Sequence, residues 1–149
     1  MEHALDLLDK TYNGRAWYGK NIFRSLQDVP LRKTLLRLNG SYNIVELLHH
    51  MLAWRDYLSK LLSTGESVII PDDKNFPTID FITDKEWQRL LERVETSQNE
   101  LRNVIAVCNL KLSDKVQGKP YEVNDVLYGV MQHDVYHIGQ INFLAKFLE

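Results

Sequence analysis

The sequence predicts an all-helical chain that folds as a four-helix bundle with a long crossover loop between its second and third helices. Apolar residues recur at helical spacing in four long segments, and no alternation of apolar and polar residues is long enough for a sheet. The 149 residues suit a single domain, residues 1–149, with its own core. An apolar fraction of 44% and a charged fraction of 26% are typical of globular domains.

The first predicted helix runs from Glu2 to Gln27 and contains a weak point. Gly14 and Gly19 lie close together inside it, so we expect a kink or a short break there. Pro30 ends the segment, because proline lacks the amide hydrogen and disfavours helix at the preceding residue.

The second predicted helix begins after Gly40, with Ser41 as its N-cap, and ends at Gly65. A loop from Ser63 to Ile82 follows. Loops of this length are uncommon in compact domains, and they are often functional or form a crossover. The run SVII at 67–70 could form a short strand, although no partner strand is evident.

The third predicted helix opens at Thr83, which forms a capping-box pattern with Glu86, and it ends before Leu110. The last predicted helix runs from Asn124 to Leu148. One stripe of this last helix carries Val126, Val130, His133, His137, Gln140, Leu144 and Phe147.

Composition argues against several classes of function. The formal net charge is −2 and no block of like charges occurs, so nothing indicates a nucleic-acid partner. No apolar run approaches the roughly 20 residues of a membrane span, and the N-terminus lacks a signal-peptide pattern. Cys108 is the single cysteine, so no intrachain disulfide can form and we expect a cytoplasmic protein.

Two histidines one helical turn apart are the main functional signal. His133 and His137 point the same way on the last helix, within its apolar stripe. A buried neutral imidazole needs partners for both nitrogens, and a divalent metal ion can satisfy one nitrogen of each ring. Catalytic zinc sites commonly use three protein ligands and leave one position open, so a third ligand is needed from another helix.

The third ligand is expected on the second helix, where His49 and His50 point about 100° apart. His50 lies between Leu47 and Trp54 on the apolar face, so it is the predicted inward residue. The histidine pair alone is equally compatible with two hydrogen-bonded core residues. The zincin motif H-E-x-x-H is absent, because Asp134 stands where that motif has glutamate.

Several other residues could each have one of two roles. Trp17 and Trp54 could form the wall of a substrate pocket, although core packing is the more common role of such aromatics. Gln140 could contact the pocket or a ligand histidine, or serve only in packing. Asp134 or Glu46 could orient an imidazole, but the pattern favours a solvated charge for each.

Three stretches resemble the DinB/YfiT-like superfamily of small metal-binding four-helix bundles. ELLHHMLAWRDYL is similar to its second-helix motif, which selects His50 together with Trp54. QHDVYHIGQI is similar to its last-helix motif, in which both histidines are ligands and a Gly-Gln pair follows, here Gly139 and Gln140. NGRAWYGKNI is similar to a first-helix segment found in one branch of the superfamily.

The resemblance implies a centre of His50, His133 and His137 that holds one divalent ion, zinc or nickel first, with manganese and iron as further choices. It implies an enzyme that activates a low-molecular-weight thiol, as bacillithiol S-transferases do, or water, as a hydrolase does. The expected partners are a small-molecule substrate and a second copy in a homodimer, without nucleic acid or membrane. The alternative is a non-catalytic helical bundle that binds a metal or another ligand.

Overall fold

The computed structural model describes residues 1–147, which are mainly helical and contain no β-strand. Six α-helices occur in this part of the chain, and four of them are long. They are α1 (Glu2–Tyr12), α2 (Ile22–Gln27), α3 (Ile44–Thr64), α4 (Asp72–Asn75), α5 (Asp84–Val107) and α6 (Val123–Phe147). A single 3-10 turn occurs at Leu31–Lys33. The all-helical prediction is therefore confirmed.

The long helices share a common core. Helices α1 and α3 each pack against both α5 and α6, while α2 packs on α6 and α4 packs on α3. Within residues 1–147, no helix combines the length and the apolar character that crossing a membrane requires. The predicted end of the last helix at Leu148 lies outside the described residues.

The expected break in the first predicted helix is confirmed. Helix α1 ends at Tyr12 and α2 begins at Ile22, so nine residues lie between them. Asn21 connects the two sides of the break. Its Oδ1 accepts a hydrogen bond from Arg24 N in α2 at 2.9 Å, and its Nδ2 donates one to Gly14 O at 2.8 Å. Gly14 approaches the helix closely, because a Cβ there would lie 2.7 Å from Lys10 Cα.

The prediction that Ser41 caps α3 is wrong, and Asn43 is the cap. Asn43 Oδ1 accepts from Glu46 N at 2.9 Å, and Glu46 Oε2 accepts from Asn43 N at 3.0 Å, which completes a capping box. Ser41 Oγ instead accepts from Leu38 N at 3.1 Å and stabilises the preceding turn. The helix ends as predicted at Gly65, whose φ of 74° suits glycine.

The crossover segment, residues 65–83, joins α3 to α5 and contains the short helix α4. The strand suggested for 67–70 is wrong, because these residues form no β-pairing with any other segment of residues 1–147. Thr83 caps α5 as predicted, and its capping box with Glu86 is present.

The core consists of two apolar clusters with a polar layer between them. Along α3 and α6, Arg55 and Asp134 fall at the boundary between the clusters, and both are fully buried. Arg55 Nε donates to Asp134 Oδ2 at 2.9 Å, and Nη1 donates to Ser97 Oγ at 3.1 Å and to Gln98 Oε1 at 3.4 Å. Three long helices are thus connected by hydrogen bonds inside the core.

Candidate metal centre

Helices α3 and α6 bring the three predicted ligand histidines together. His133 Nε2 lies 2.8 Å from His50 Nε2 and 3.0 Å from His137 Nε2. One potential donor atom from each ring lies within 4.8 Å of the other two. His50 and His137 are each 6% exposed, and His133 is half-buried at the edge of the same cluster.

In two of the three rings, a hydrogen bond at Nδ1 determines whether Nε2 carries a hydrogen or a free lone pair. His50 Nδ1 lies 2.8 Å from the backbone oxygen of Asn75, and His137 Nδ1 lies 2.6 Å from Gln140 Oε1. Both partners are acceptors, so each Nδ1 carries the hydrogen and donates it. In the neutral rings, both Nε2 atoms therefore direct bare lone pairs into the centre of the cluster.

The converging lone pairs favour a positive group at the centre of the cluster. A proton on His133 Nε2 could be donated to only one neighbouring lone pair, whereas a divalent ion could accept the Nε2 lone pairs of all three rings. The second ring nitrogen of His133, Nδ1, is buried and has no hydrogen-bond partner among residues 1–147. The donor set therefore fits a metal ion better than a hydrogen-bonded core.

The spacing of the donors is close to what a metal ion requires. Tetrahedral ligands about 2.1 Å from zinc stand about 3.4 Å apart, so His133 Nε2 would need to move away from His50 Nε2 and His137 Nε2 by about half an ångström. Three imidazoles suit zinc, nickel or iron. Within residues 1–147, no cysteine, carboxylate or further histidine belongs to this group of ligands, so a bound ion would keep an open position.

The crossover segment contacts His50 at the edge of its ring and on one face of it. The Asn75 carbonyl holds the ring edge, and the Phe76 ring stacks on the ring face with centroids 3.8 Å apart and an interplanar angle of 12°. Tyr42 stacks on the outer face of Phe76 at 4.0 Å. The sequence reasoning missed Asn75 and Phe76, and the unusual length of the loop was the only signal that it carries functional residues.

The remaining predicted site residues divide into two groups. Trp54 lies beside the cluster, with its ring centroid 6.5 Å from that of His50, and Gln140 holds His137 directly. Trp17 is 96% exposed and makes no ring contact with the histidines. Neither of its two suggested roles, in a pocket wall or in the core, is supported, because its side chain lies in solvent at the break after α1.

The interpretation of Asp134 and Glu46 as solvated charges is wrong. Asp134 is fully buried against Arg55, and Glu46 is 1% exposed inside the capping box of α3. Neither carboxylate hydrogen-bonds to a histidine of the cluster. The overlooked signal was Arg55, a lone cation on the apolar face of α3 that required a buried partner.

Burial keeps the three rings neutral. It lowers the pKa of His50 and of His137, and this effect exceeds the opposing effect of their Nδ1 hydrogen bonds. Burial, with repulsion from His137 and His50, lowers the pKa of His133 to about 3. At neutral pH the cluster therefore offers lone pairs to a cation, without competition from protons.

The geometry of these residues is the whole basis for assigning the site. Comparisons with protein-family models, with curated proteins and with solved structures find no match for this chain.

Proposed function

We propose that this chain is a divalent-metal-binding protein whose centre consists of His50, His133 and His137. We further propose a four-helix bundle of the DinB/YfiT-like type and a metal-dependent enzyme that activates a low-molecular-weight thiol for S-transfer. One observation carries this proposal: the Nε2 atoms converge while acceptors occupy the Nδ1 atoms of His50 and His137.

The chemistry follows from the neutral donor set. A divalent ion held by three imidazoles keeps its full charge, and it lowers the pKa of a coordinated thiol or water enough to supply a nucleophile near neutral pH. The Asn75 carbonyl and Gln140 fix the tautomers of two rings, as partners of metal-binding histidines commonly do. Phe76 and Trp54 shield the cluster and keep its surroundings apolar.

The environment favours a thiol over water as the activated group. Hydrolysis commonly relies on a nearby carboxylate as a general base, but no Asp or Glu among residues 1–147 hydrogen-bonds to the three rings. Asp134 is paired with Arg55, and Glu46 is paired with Arg37. A coordinating thiol loses its proton to the metal effect alone. A hydrolase remains the second candidate, supported by the same open position.

A non-catalytic bundle is the alternative from a different class. Structural zinc sites are closed by four protein ligands, whereas this cluster provides three among the described residues. The open position is what favours the enzyme over a purely structural ion.

Elemental analysis of the untagged protein tests the metal centre. We expect about one divalent ion per chain in the wild type, and its loss in His50→Ala and His137→Ala. His49→Ala is the matched control, because His49 neighbours His50 on α3 but is not part of the cluster, and it should keep the ion. Failure to bind zinc, nickel, manganese or iron after reconstitution would contradict the proposal.

Thiol activation is tested on the same preparations. With cobalt in the centre, an added small thiol should produce a thiolate-to-metal charge-transfer band that His137→Ala lacks. Metal binding without this band would leave the centre in place and favour water as the activated group.

A further inference from the structure

A cleft lies beside the histidine cluster, between the segment that precedes α3 and the outer face of α6. Its volume is about 420 Å³. Pockets for small molecules span roughly 300–1,000 Å³, so the cleft has the size of a ligand site. The residues that matter to its chemistry are Leu38, Tyr42, Leu47, Tyr136, Gln140 and Phe143.

The cleft is connected to the metal centre through its walls. Gln140 lines it and accepts the hydrogen bond from His137 Nδ1 at 2.6 Å. Tyr136 lines it and packs edge-on against His137, with ring centroids 5.0 Å apart. Tyr42 lines it and forms the outer end of the stack that continues through Phe76 to His50. A molecule in the cleft would therefore contact residues that touch His137 directly, and it would be separated from His50 by the rings of Tyr42 and Phe76.

The lining selects for uncharged, apolar groups. Its polar groups are the hydroxyls of Ser41, Tyr42 and Tyr136 and the amide of Gln140, and no Lys, Arg, Asp or Glu of residues 1–147 lines it. Several of its apolar side chains are incompletely covered, with Phe143 48% exposed and Tyr136 65% exposed. A charged group here would be desolvated without a partner, whereas an aromatic or aliphatic group would cover exposed apolar surface.

We propose that this cleft binds the uncharged, apolar part of the electrophilic substrate, whose reactive end then faces the histidines. The proposal rests on the proposed metal-dependent function and specifies its substrate class. A cavity of about 150 Å³ holds one benzene ring, so the cleft accommodates a group of about two fused rings. The anionic parts of a low-molecular-weight thiol do not belong in this cleft, since it offers them no cation.

Gly139 provides a way to fill the cleft without disturbing the helix. It lines the cleft, and a Cβ at this position would meet no heavy atom within 4 Å. Leucine is a better helix former than glycine, so Gly139→Leu should not weaken α6. Gly129 is the matched control, because it lies in the same helix with equally open space but does not line the cleft.

The experiment measures binding of two probes of equal shape to the full-length, metal-loaded protein. Calorimetry with 2-naphthylmethanol, which is neutral, is compared with 2-naphthylmethylammonium, which is charged. We expect the neutral probe to bind at least about ten-fold more tightly. We expect Gly139→Leu to weaken its binding at least about ten-fold and Gly129→Leu to leave it unchanged.

Other outcomes would overturn the proposal. Equal affinity for the two probes would remove the selectivity for uncharged groups, and an unchanged affinity in Gly139→Leu would remove the cleft as the site. A wild-type dimer that Gly139→Leu converts to monomer, with no probe binding, would make the cleft an interface between copies.

Metal content is measured on the same samples to separate the two proposals. Loss of probe binding in Gly139→Leu with the metal content unchanged would show that the substitution affects the cleft and not the metal centre. A wild type that binds no metal but still prefers the neutral probe would contradict the proposed function and leave the cleft as a binding site for apolar molecules.

Discussion

The hydrogen on Nδ1 determines what His50 and His137 can bind. In both rings an oxygen acceptor holds that hydrogen, so Nε2 is left free for a cation. The acceptors differ in kind, because a backbone carbonyl serves His50 and a side-chain amide serves His137. Only the side-chain acceptor, Gln140 Oε1, can be removed by substitution.

Replacing Gln140 by leucine should weaken metal binding. The change keeps the bulk of the side chain but removes the acceptor, so the His137 ring can rotate and adopt the other tautomer. We expect a loss of about 10- to 100-fold in zinc affinity, measured by competition with a chromophoric chelator. Gln132→Leu is the control, since Gln132 is exposed on the same helix. Equal affinities in the two variants would show that Gln140 only packs against the ring.

The sequence predicted the histidines better than their neighbours. Helical spacing is a local property, so it indicated the pair on α6 and the inward direction of His50. Asn75 reaches His50 across 25 residues, and its carbonyl carries no identity that a sequence pattern could reveal. Asp134 was misjudged because its burial depends on Arg55, which lies on another helix.

The N-terminus of α3 is the most heavily bonded helix end near the site. Glu46 accepts hydrogen bonds from Ile79 N at 2.8 Å, from Asn43 N at 3.0 Å and from the guanidinium of Arg37. Burial alone would raise the pKa of this carboxyl, but the bonds from Arg37, Ile79 and Asn43 outweigh it and the pKa is lowered. One carboxylate thus connects α3 to the crossover segment.

The lowered pKa of Glu46 predicts a defined pH dependence. The charged form is favoured in the folded state, so its stabilising effect is present above the unfolded pKa of about 4.3 and is lost as pH falls through the lower folded value. We expect Glu46→Gln to lower the free energy of unfolding by about 1.5–3 kcal/mol at neutral pH. The difference from the wild type should shrink below about pH 4 in urea titrations.

Glu86→Gln serves as the control for this prediction. Glu86 holds the equivalent position in the capping box of α5 but is exposed, and glutamine also completes such a box. We expect little change at either pH. A Glu46→Gln deficit that stays constant with pH would show that its charge does not stabilise the fold.

The long helices were predictable from the spacing of their apolar residues, whereas the residue that caps a helix was harder to predict. Thr83 was identified correctly because its partner Glu86 lies at the required spacing. Ser41 was predicted as the cap of α3, but its hydroxyl stabilises the turn before the helix, and this turn was not evident from the sequence. The run at 67–70 has strand-forming residues, but a strand needs a partner and the structure offers it none.

The polar layer divides the core of the whole molecule. Arg55 and Asp134 are buried between two apolar clusters, and each keeps one polar atom without a hydrogen-bond partner among residues 1–147. A buried ion pair of this kind contributes little net stability, although removing one partner is costly. Its hydrogen bonds connect α3 to α5 and α6 at one level of the core.

Single and double replacements of this pair should differ in the size of their effect on stability. We expect Arg55→Met to destabilise by about 3–5 kcal/mol, because it leaves the Asp134 carboxyl buried without its cation. Adding Asp134→Leu should recover most of that loss, since both unsatisfied groups are then removed. The measurement is urea unfolding in the presence of a chelator, so that metal bound at the neighbouring His133 does not contribute. A double variant no more stable than the single one would contradict this account.

The contact between the crossover segment and His50 links the conformation of a loop to the chemistry of the centre. Because Asn75 contributes a backbone carbonyl, a shift in the path of the segment would change the orientation of His50 and with it the affinity of the proposed centre for an ion. Thermodynamic reciprocity then requires the ion to favour the conformation of the segment that binds it best. If the proposed centre holds an ion, a molecule that binds residues 72–79 and the ion at the histidines would therefore each influence the affinity of the other.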